Sequence, residues 1–555
     1  MMKTAGLLFG PRLLLLLLLL PWVADAASQN PSTGRWEGNF MGDFRTVIQI
    51  SCSENRYTGT IRMYNGSQVI QNDPITDISL DGMKFTFRIP EKQTSFTGTF
   101  NEGFTLLSGK FIFPDGSEHP IEVEKSTRLI DADADRYREY LEKRFDPELL
   151  REDLRFLWQK LKKNHPRLYS YSPEAEMESV YERILSEITV SMGLEEYIIH
   201  ISPLVDRVRC SHTGIRPPAA YDMLAAEYGH FLPMRVALHD GSIYYLSTVG
   251  QPDPGIEPGA EIVSINGRSS EEIIAGLLPL VHSEGYNTTS KYFQFNHRFQ
   301  YLYHLLDPSA QFEVEIATKA GKRELLLRAC KLAEVQTGVD GNGDGLPLQF
   351  IDNEEVSAGI LQVRSFEIRN MEAYMEELEF IFTHLKSQET GNLILDLRGN
   401  RGGHPIFAAQ LLSYLVDGEF TYFRENPEVT EFEPLYRPMQ PDLQHFEGNL
   451  YVLVDGGCLS TTGHLISLVK YHTPAVFIGE EPGSTFLCND FSIQLSLPHT
   501  AIEANIPRTT FEAAVDGFRE GNAFPLDYPV AFSISDLVTG IDRSMELGKE
   551  VIAGR

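Results

Sequence analysis

The sequence predicts a multidomain chain with an N-terminal all-β barrel or sandwich, a helical segment, a second β-rich part and a C-terminal α/β core on a mostly parallel sheet. Three patterns carry this reading. Residues 31 to about 126 hold short alternating strands split by turns, residues 131 to about 208 place apolar side chains at helical spacing, and residues 346–555 alternate apolar strands with amphipathic helices. The 555 residues are 42% hydrophobic and 23% charged, which excludes a collagen, a coiled coil or a mostly disordered chain. Against 48 Lys+Arg stand 77 Asp+Glu, a formal net charge of -29. A broad electrostatic grip on nucleic acid or anionic lipid would oppose the protein's own field, so no nucleic-acid partner is expected.

At the N-terminus, Lys3 and Arg12 precede the leucine block Leu13 to Leu20, and Ala24-Asp25-Ala26 supplies small residues at the cleavage positions. Residues 1–26 therefore read as a secretory signal peptide. The apolar block is shorter than the roughly 20 residues that span a bilayer, so stable membrane insertion is not expected. The short signal and the domain order point to a bacterial chain exported to the periplasm or the medium. In a eukaryote, Asn65-Gly66-Ser67 and Asn287-Thr288-Thr289 would be glycosylation acceptors. Five scattered cysteines, Cys52, Cys210, Cys330, Cys458 and Cys488, are too few for a disulfide framework, and at least one is unpaired within a monomer.

Residues 27–130 form the small β domain, with Trp36, Phe40, Tyr57, Phe85, Phe96 and Phe111 as its expected core. Residues 131–220 form the helical segment, whose helices run over Leu149 to Leu161, Pro173 to Ile188 and Leu194 to Val208 and end at the polar turn Arg209-Cys210-Ser211-His212-Thr213-Gly214. Residues 221–335 return to strands, with a Pro258-Gly259 turn leading to Asn266-Gly267, and residues 271 to 306 read as a helical insertion. The linker Asp340-Gly341-Asn342-Gly343-Asp344-Gly345 mimics half a calcium loop, but Ile351 stands where the bidentate glutamate belongs, so a turn without metal is expected. Residues 346–555 are the α/β core.

Two motifs in that core carry chemistry, both at strand ends, where sites in such sheets lie. Asp396-Leu397-Arg398-Gly399-Asn400-Arg401-Gly402-Gly403 is a glycine turn able to aim N–H groups at an oxyanion, with Asp396 and Arg398 bracing it. Asp455-Gly456-Gly457-Cys458-Leu459-Ser460-Thr461-Thr462-Gly463-His464 leads from a strand into a helix. A serine there is ordinarily an N-cap, yet the same position suits a nucleophile, because free N–H groups and the helix dipole stabilise the anion its attack generates.

Taken together, Asp-Leu-Arg-x-Asn-x-Gly-Gly, the later Ser460 helix start, the Gly479-Glu480 pair and the upstream Pro-Gly to Asn-Gly unit resemble the C-terminal-processing (tail-specific) serine protease superfamily with its PDZ-like domain. The resemblance spans roughly residues 135 to 550. It implies Ser460 as nucleophile, with an oxyanion hole from Thr461 and the Gly402/Gly403 turn. The lysine base of the processing branch is missing from Gly479-Glu480-Glu481-Pro482-Gly483-Ser484-Thr485, and Lys470 reads as a solvated helix residue. The tricorn-like branch instead implies a Ser–His–Ser–Glu tetrad, which here would be Ser460, His212, Ser211 and Glu520. Glu520 precedes Asp527-Tyr528-Pro529-Val530, with Leu526 where the family has proline. His464 is the rival base, one helical turn beyond Ser460, and Cys458 lies ahead of the helix without an obvious partner.

The expected function is a secreted or periplasmic serine peptidase acting on peptides or unfolded protein tails, with no metal or organic cofactor. Ester hydrolysis and a non-catalytic binding protein on the same fold are the alternatives, the latter motivated by the missing lysine.

Overall fold

The computed structural model describes residues 31–41, 44–53, 56–65, 68–126, 130–318, 321–335, 346–352, 356–368, 370–426, 429–522 and 524–554. The signal-peptide reading, the Asp340 to Gly345 linker and part of the Asn65 sequon lie outside the described residues. The chain divides into two compact units, at Leu129 and Ile130.

In the first unit, eight strands from Gly34–Phe40 to Glu118–Lys125 pair antiparallel in chain order, and the first closes onto the last as a barrel. Closure removes the free edges that a sandwich would leave. Alternate residues point inward, and Trp36, Phe85, Phe87, Phe96, Phe100 and Phe111 are fully buried. Phe87 and Phe96 stack at 4.8 Å between centroids. Gly98 and Gly109 face each other across two strands, and a Cβ on Gly109 would come 2.4 Å from the Phe96 ring. Two missing side chains thus make room for one aromatic. Tyr57 is only half-buried, unlike the rest of the expected core.

The second unit opens with helices Ile130–Glu142, Pro147–Asn164, Glu174–Glu187 and Leu194–Asp206. Leu150, Leu154, Leu157 and Leu161 form the buried stripe of the second of these, as the spacing predicts. Asp153 on that helix is fully buried and accepts from the N–H groups of His499 and Thr500, each at 2.9 Å. It thereby anchors the C-terminal hairpin Ile493–Ser496/Glu503–Ile506.

An antiparallel sheet of six strands follows, from Met234–His239 to Gly321–Arg328. Asn266 and Gly267 take φ of 49° and 76°, the hairpin geometry their dipeptide favours. The expected helical insertion is two helices, Ser270–Leu277 and Thr289–Leu306, separated by a loop. Asn287 ends that loop with its side chain buried, donating to Pro482 O at 3.0 Å and capping Ser290 N at 2.8 Å. The folded protein leaves this sequon no accessible amide to modify.

The C-terminal sheet is mixed. Leu348–Asp352 runs antiparallel to Ser357–Gln362, after which Asn392–Asp396, Asn449–Val454, Val476–Gly479 and Tyr528–Pro529 add in parallel. Leu395, Val452 and Phe477 pack into one core, while Ile394, Tyr451 and Ile478 pack on the other face with Ile552 of the last helix. Burial on both faces explains why these strands read as unbroken apolar runs.

Phe96→Ala removes the ring that the barrel is built around, and we expect a loss of about 3–5 kcal/mol in barrel stability by urea denaturation. A loss below about 1 kcal/mol would show that the barrel does not depend on this packing.

Candidate active site

The two glycine-rich turns leave the carboxyl ends of adjacent parallel strands and are hydrogen-bonded to each other. Leu459 N donates to Asn400 O at 3.0 Å, and the Cys458 thiol donates to Leu397 O at 3.2 Å. From the second turn, Asp455 Oδ1 accepts from Gly399 N at 2.8 Å and Gly457 N at 2.9 Å. Burial nevertheless pushes its carboxyl above the ordinary carboxylate value.

Asn400, with no solvent exposure, is the staple. Its Nδ2 donates to Val363 O at 3.0 Å, and its Oδ1 accepts from Gly402 N at 2.9 Å and Thr462 Oγ1 at 2.8 Å. Beneath it, the buried carboxylate of Asp396 is matched by Arg364 at 3.1 Å and Arg398 at 2.8 Å. Arg398 also reaches Asp542 at 2.6 Å, tying the turn to the last helix.

Ser460 stands at the N-terminus of helix Thr461–His472 with φ 53° and ψ −124°. An L-residue adopts this region at a cost of about 1–3 kcal/mol, which the surrounding bonds must offset. Its N–H is held by Ser484 Oγ at 3.1 Å, within the loop where the lysine was missing. Gly402 lies directly against it: at φ 97°, a Cβ there would sit 2.9 Å from Ser460 Cβ and 3.0 Å from Thr461 N. Gly403, at φ 136°, would drive a Cβ to 2.2 Å from the Phe366 carbonyl carbon. The sequence placed Gly402, Gly403 and Thr461 around an oxyanion, but Gly402 N is committed to Asn400. Thr461 N starts the helix and so has no intrahelical acceptor.

His212 occupies the turn between helix Leu194–Asp206 and strand Gly214–Arg216. That strand pairs with Glu503–Ile506, and Asn505 Nδ2 donates to His212 O at 2.6 Å, so the C-terminal hairpin fixes the histidine backbone. Ser211 Oγ lies 3.2 Å from His212 Nδ1, while Nε2 lies 3.7 Å from Asp490 Oδ2. Burial lowers the His212 pKa, with Asp490 opposing, and the ring stays neutral and able to accept a proton. Strand Leu487–Asp490 links the two halves: Asp490 meets His212, and Cys488 interacts with the Ser460 side chain.

Glu520 departs from its expected place. Its carboxylate pairs with Arg167, not with Ser211. The carboxylate on Ser211 belongs to Glu284, whose Oε2 accepts from Ser211 Oγ at 3.0 Å and Ser211 N at 3.2 Å. The loop carrying Glu284 intervenes, since Tyr286 N donates to Gly521 O at 2.9 Å and Gly285 packs on Gly521. The signal in the sequence was the polar run His282-Ser283-Glu284-Gly285, which interrupts the stretch read as a helical insertion.

The other candidates are otherwise engaged. Lys470 pairs with Asp527 at 2.9 Å and covers the Phe477 ring. His464 is enclosed edge-on to Phe423, and burial drops its pKa to about 3. All five cysteines are free thiols, and burial raises that of Cys458 well above its ordinary value.

Residues 357–499 match the family model described as Peptidase family S41. Among solved structures, mature CPAF aligns at 13% identity and TM-score 0.53, over 73% of this chain and 97% of that one. Mature CPAF complexed with lactacystin aligns at 13% identity and TM-score 0.54, over 73% and 98%. The photosystem II D1 C-terminal processing protease aligns at 16% identity and TM-score 0.37, over 69% and 93%. No curated protein matches the chain. The fold and the matched segment define a serine-type peptidase. Peptidase family S41 is matched over residues 357–499, the segment that carries both glycine-rich turns.

Asn400→Ala would strand two donors and a carbonyl in the buried staple, and we expect it to cost about 2–4 kcal/mol by thermal or urea unfolding. A variant as stable as the parent would show that the turns hold each other without Asn400.

Proposed function

We propose that the protein is an exported serine endopeptidase that hydrolyses peptides or unfolded protein tails through an acyl-enzyme on Ser460, with His212 as base. The observation that carries this reading is Ser460 at positive φ at a helix start, with strand Leu487–Asp490 meeting Ser460 through Cys488 and the half-buried His212 through Asp490. Ser460 Oγ attacks the scissile carbonyl while its proton passes to His212 Nε2. The N–H groups of Gly403 and Thr461 receive the oxyanion, and the imidazolium then protonates the leaving amine. A water molecule, deprotonated by the same ring, releases the acyl group and restores the serine. Ser211 holds Nδ1 during both transfers.

The antiparallel sheet of residues 234–328, with its Asn266-Gly267 hairpin, is read as a PDZ-like domain that takes an extended chain end as an added strand. The net charge of -29 favours neutral or basic substrates over acidic ones. Residues 1–26 would direct the chain out of the cytoplasm.

Purified wild type should degrade an unstructured protein and react with a fluorophosphonate, and Ser460→Ala and His212→Ala should each lose at least about 10³-fold in kcat/KM. Lys470→Ala should keep wild-type turnover. Full activity in His212→Ala, or its loss in Lys470→Ala, would refute the serine–histidine assignment.

A further inference from the structure

The carboxylate behind the histidine is supplied by a different element from the one the resemblance implies. We propose that Glu284, on the loop between helices Ser270–Leu277 and Thr289–Leu306, is the residue that positions His212 through Ser211 and supplies the negative charge behind its imidazolium. The assignment rests on the peptidase reading above and deepens it.

The geometry is specific. One oxygen, Oε2, takes both the Ser211 hydroxyl and the Ser211 N–H, and that hydroxyl touches His212 Nδ1. The chain His212–Ser211–Glu284 is therefore continuous in hydrogen bonds. The other oxygen, Oε1, is buried and has no hydrogen-bond partner among the described residues. A carboxylate enclosed with one oxygen unpaired is stabilised by positive charge nearby, and the imidazolium formed during turnover, one serine away, adds to that of Arg167. Glu520 is the less suited group: its side chain is 38% exposed, whereas Glu284 is 4% exposed.

The groups facing Glu284 explain when it ionises. From the segment after helix Pro147–Asn164 come Arg167, which favours the carboxylate, and Tyr171. Glu520 opposes ionisation from the late loop, and Cys210 and Cys488 add neutral thiols. Burial outweighs the Ser211 hydrogen bonds and Arg167, pushing the carboxyl up to about 7. Below that pH Glu284 is protonated and offers no charge to the imidazolium. Above it the carboxylate is present while His212, its own pKa lowered, is already neutral. Activity should therefore rise with pH through about 7, a limb that belongs to Glu284 and not to the histidine.

The test is the pH profile of kcat/KM on an unstructured protein, with fluorophosphonate labelling rates, for wild type, Glu284→Gln, Glu284→Asp, Glu520→Gln and Ser460→Ala. At pH 8, Glu284→Gln should lose about 10²–10⁴-fold while binding substrate with little change in KM. Its acid limb should move from about 7 to below the ordinary histidine value of 6.5. Glu284→Asp, which keeps the charge, should recover part of the loss, and Glu520→Gln should lose less than about tenfold. The wild-type profile is a separate reading that needs no variant, and an acid limb below 6.5 there overturns the proposal. So does a Glu284→Gln enzyme with wild-type rate and limb, or a loss confined to Glu520→Gln. A wild type that neither cleaves nor labels, and is indistinguishable from Ser460→Ala, overturns the underlying peptidase reading instead.

Discussion

The site depends on one buried amide. Asn400 bonds the first glycine turn to strand Ser357–Gln362's extension at Val363, to Gly402 and to Thr462 at the start of the serine helix. Each partner is backbone or a short hydroxyl, so its placement leaves little slack. The positive φ of Ser460 persists because the residues before and after it are pinned: Leu459 N on Asn400 O, and Thr462 on the Asn400 side chain. A serine in relaxed geometry would simply cap the helix. Here the same residue is turned so that its own N–H is held by Ser484 and its side chain meets Cys488.

Charge is arranged in two separate layers around this centre. Beneath the turns, Asp396, Arg364, Arg398 and Asp542 form a paired network in which the buried carboxylate is matched from two sides. Such a network fixes geometry more than it adds stability, because desolvating the ions offsets most of their attraction. Beside the histidine the balance is different. Glu284 is buried with one satisfied oxygen, Arg167 is shared with Glu520, and Asp490 meets Nε2. In the first layer every charge has an opposite partner, while in the second the buried Glu284 keeps one oxygen without a hydrogen bond.

Much of this was legible in the sequence where periodicity and turn chemistry were local. The strands around Leu395 and Val452 read as apolar runs because both faces are covered, and the Ser460 motif stood out because a Gly-rich turn met a helix start. The barrel was legible as short alternating strands, although only closure of the first strand on the last distinguishes it from a sandwich. Glu284 was not legible, because it lies in a four-residue polar break inside an apolar helical pattern and meets Ser211 from 73 residues away. The commitment of Gly402 N to Asn400 was likewise invisible, since two neighbouring glycines look equivalent until a side chain selects one. Asn287 shows the converse: the string reads as a sequon, while in the fold its side chain accepts from Ser290 N in the first turn of a helix.

The support of His212 by strand Glu503–Ile506 also bears on how the molecule acquires its chemistry. Asn505 reaches His212 across 293 residues, and Asp153 holds Thr500 across 347. Contacts of that sequence separation close late in folding, after local helices and hairpins have formed. A nascent chain that has already presented Ser211 and His212 lacks the hairpin that fixes them until nearly its whole length has been made. The turn that carries Ser211 and His212 is thus completed only once the end of the chain has packed against it.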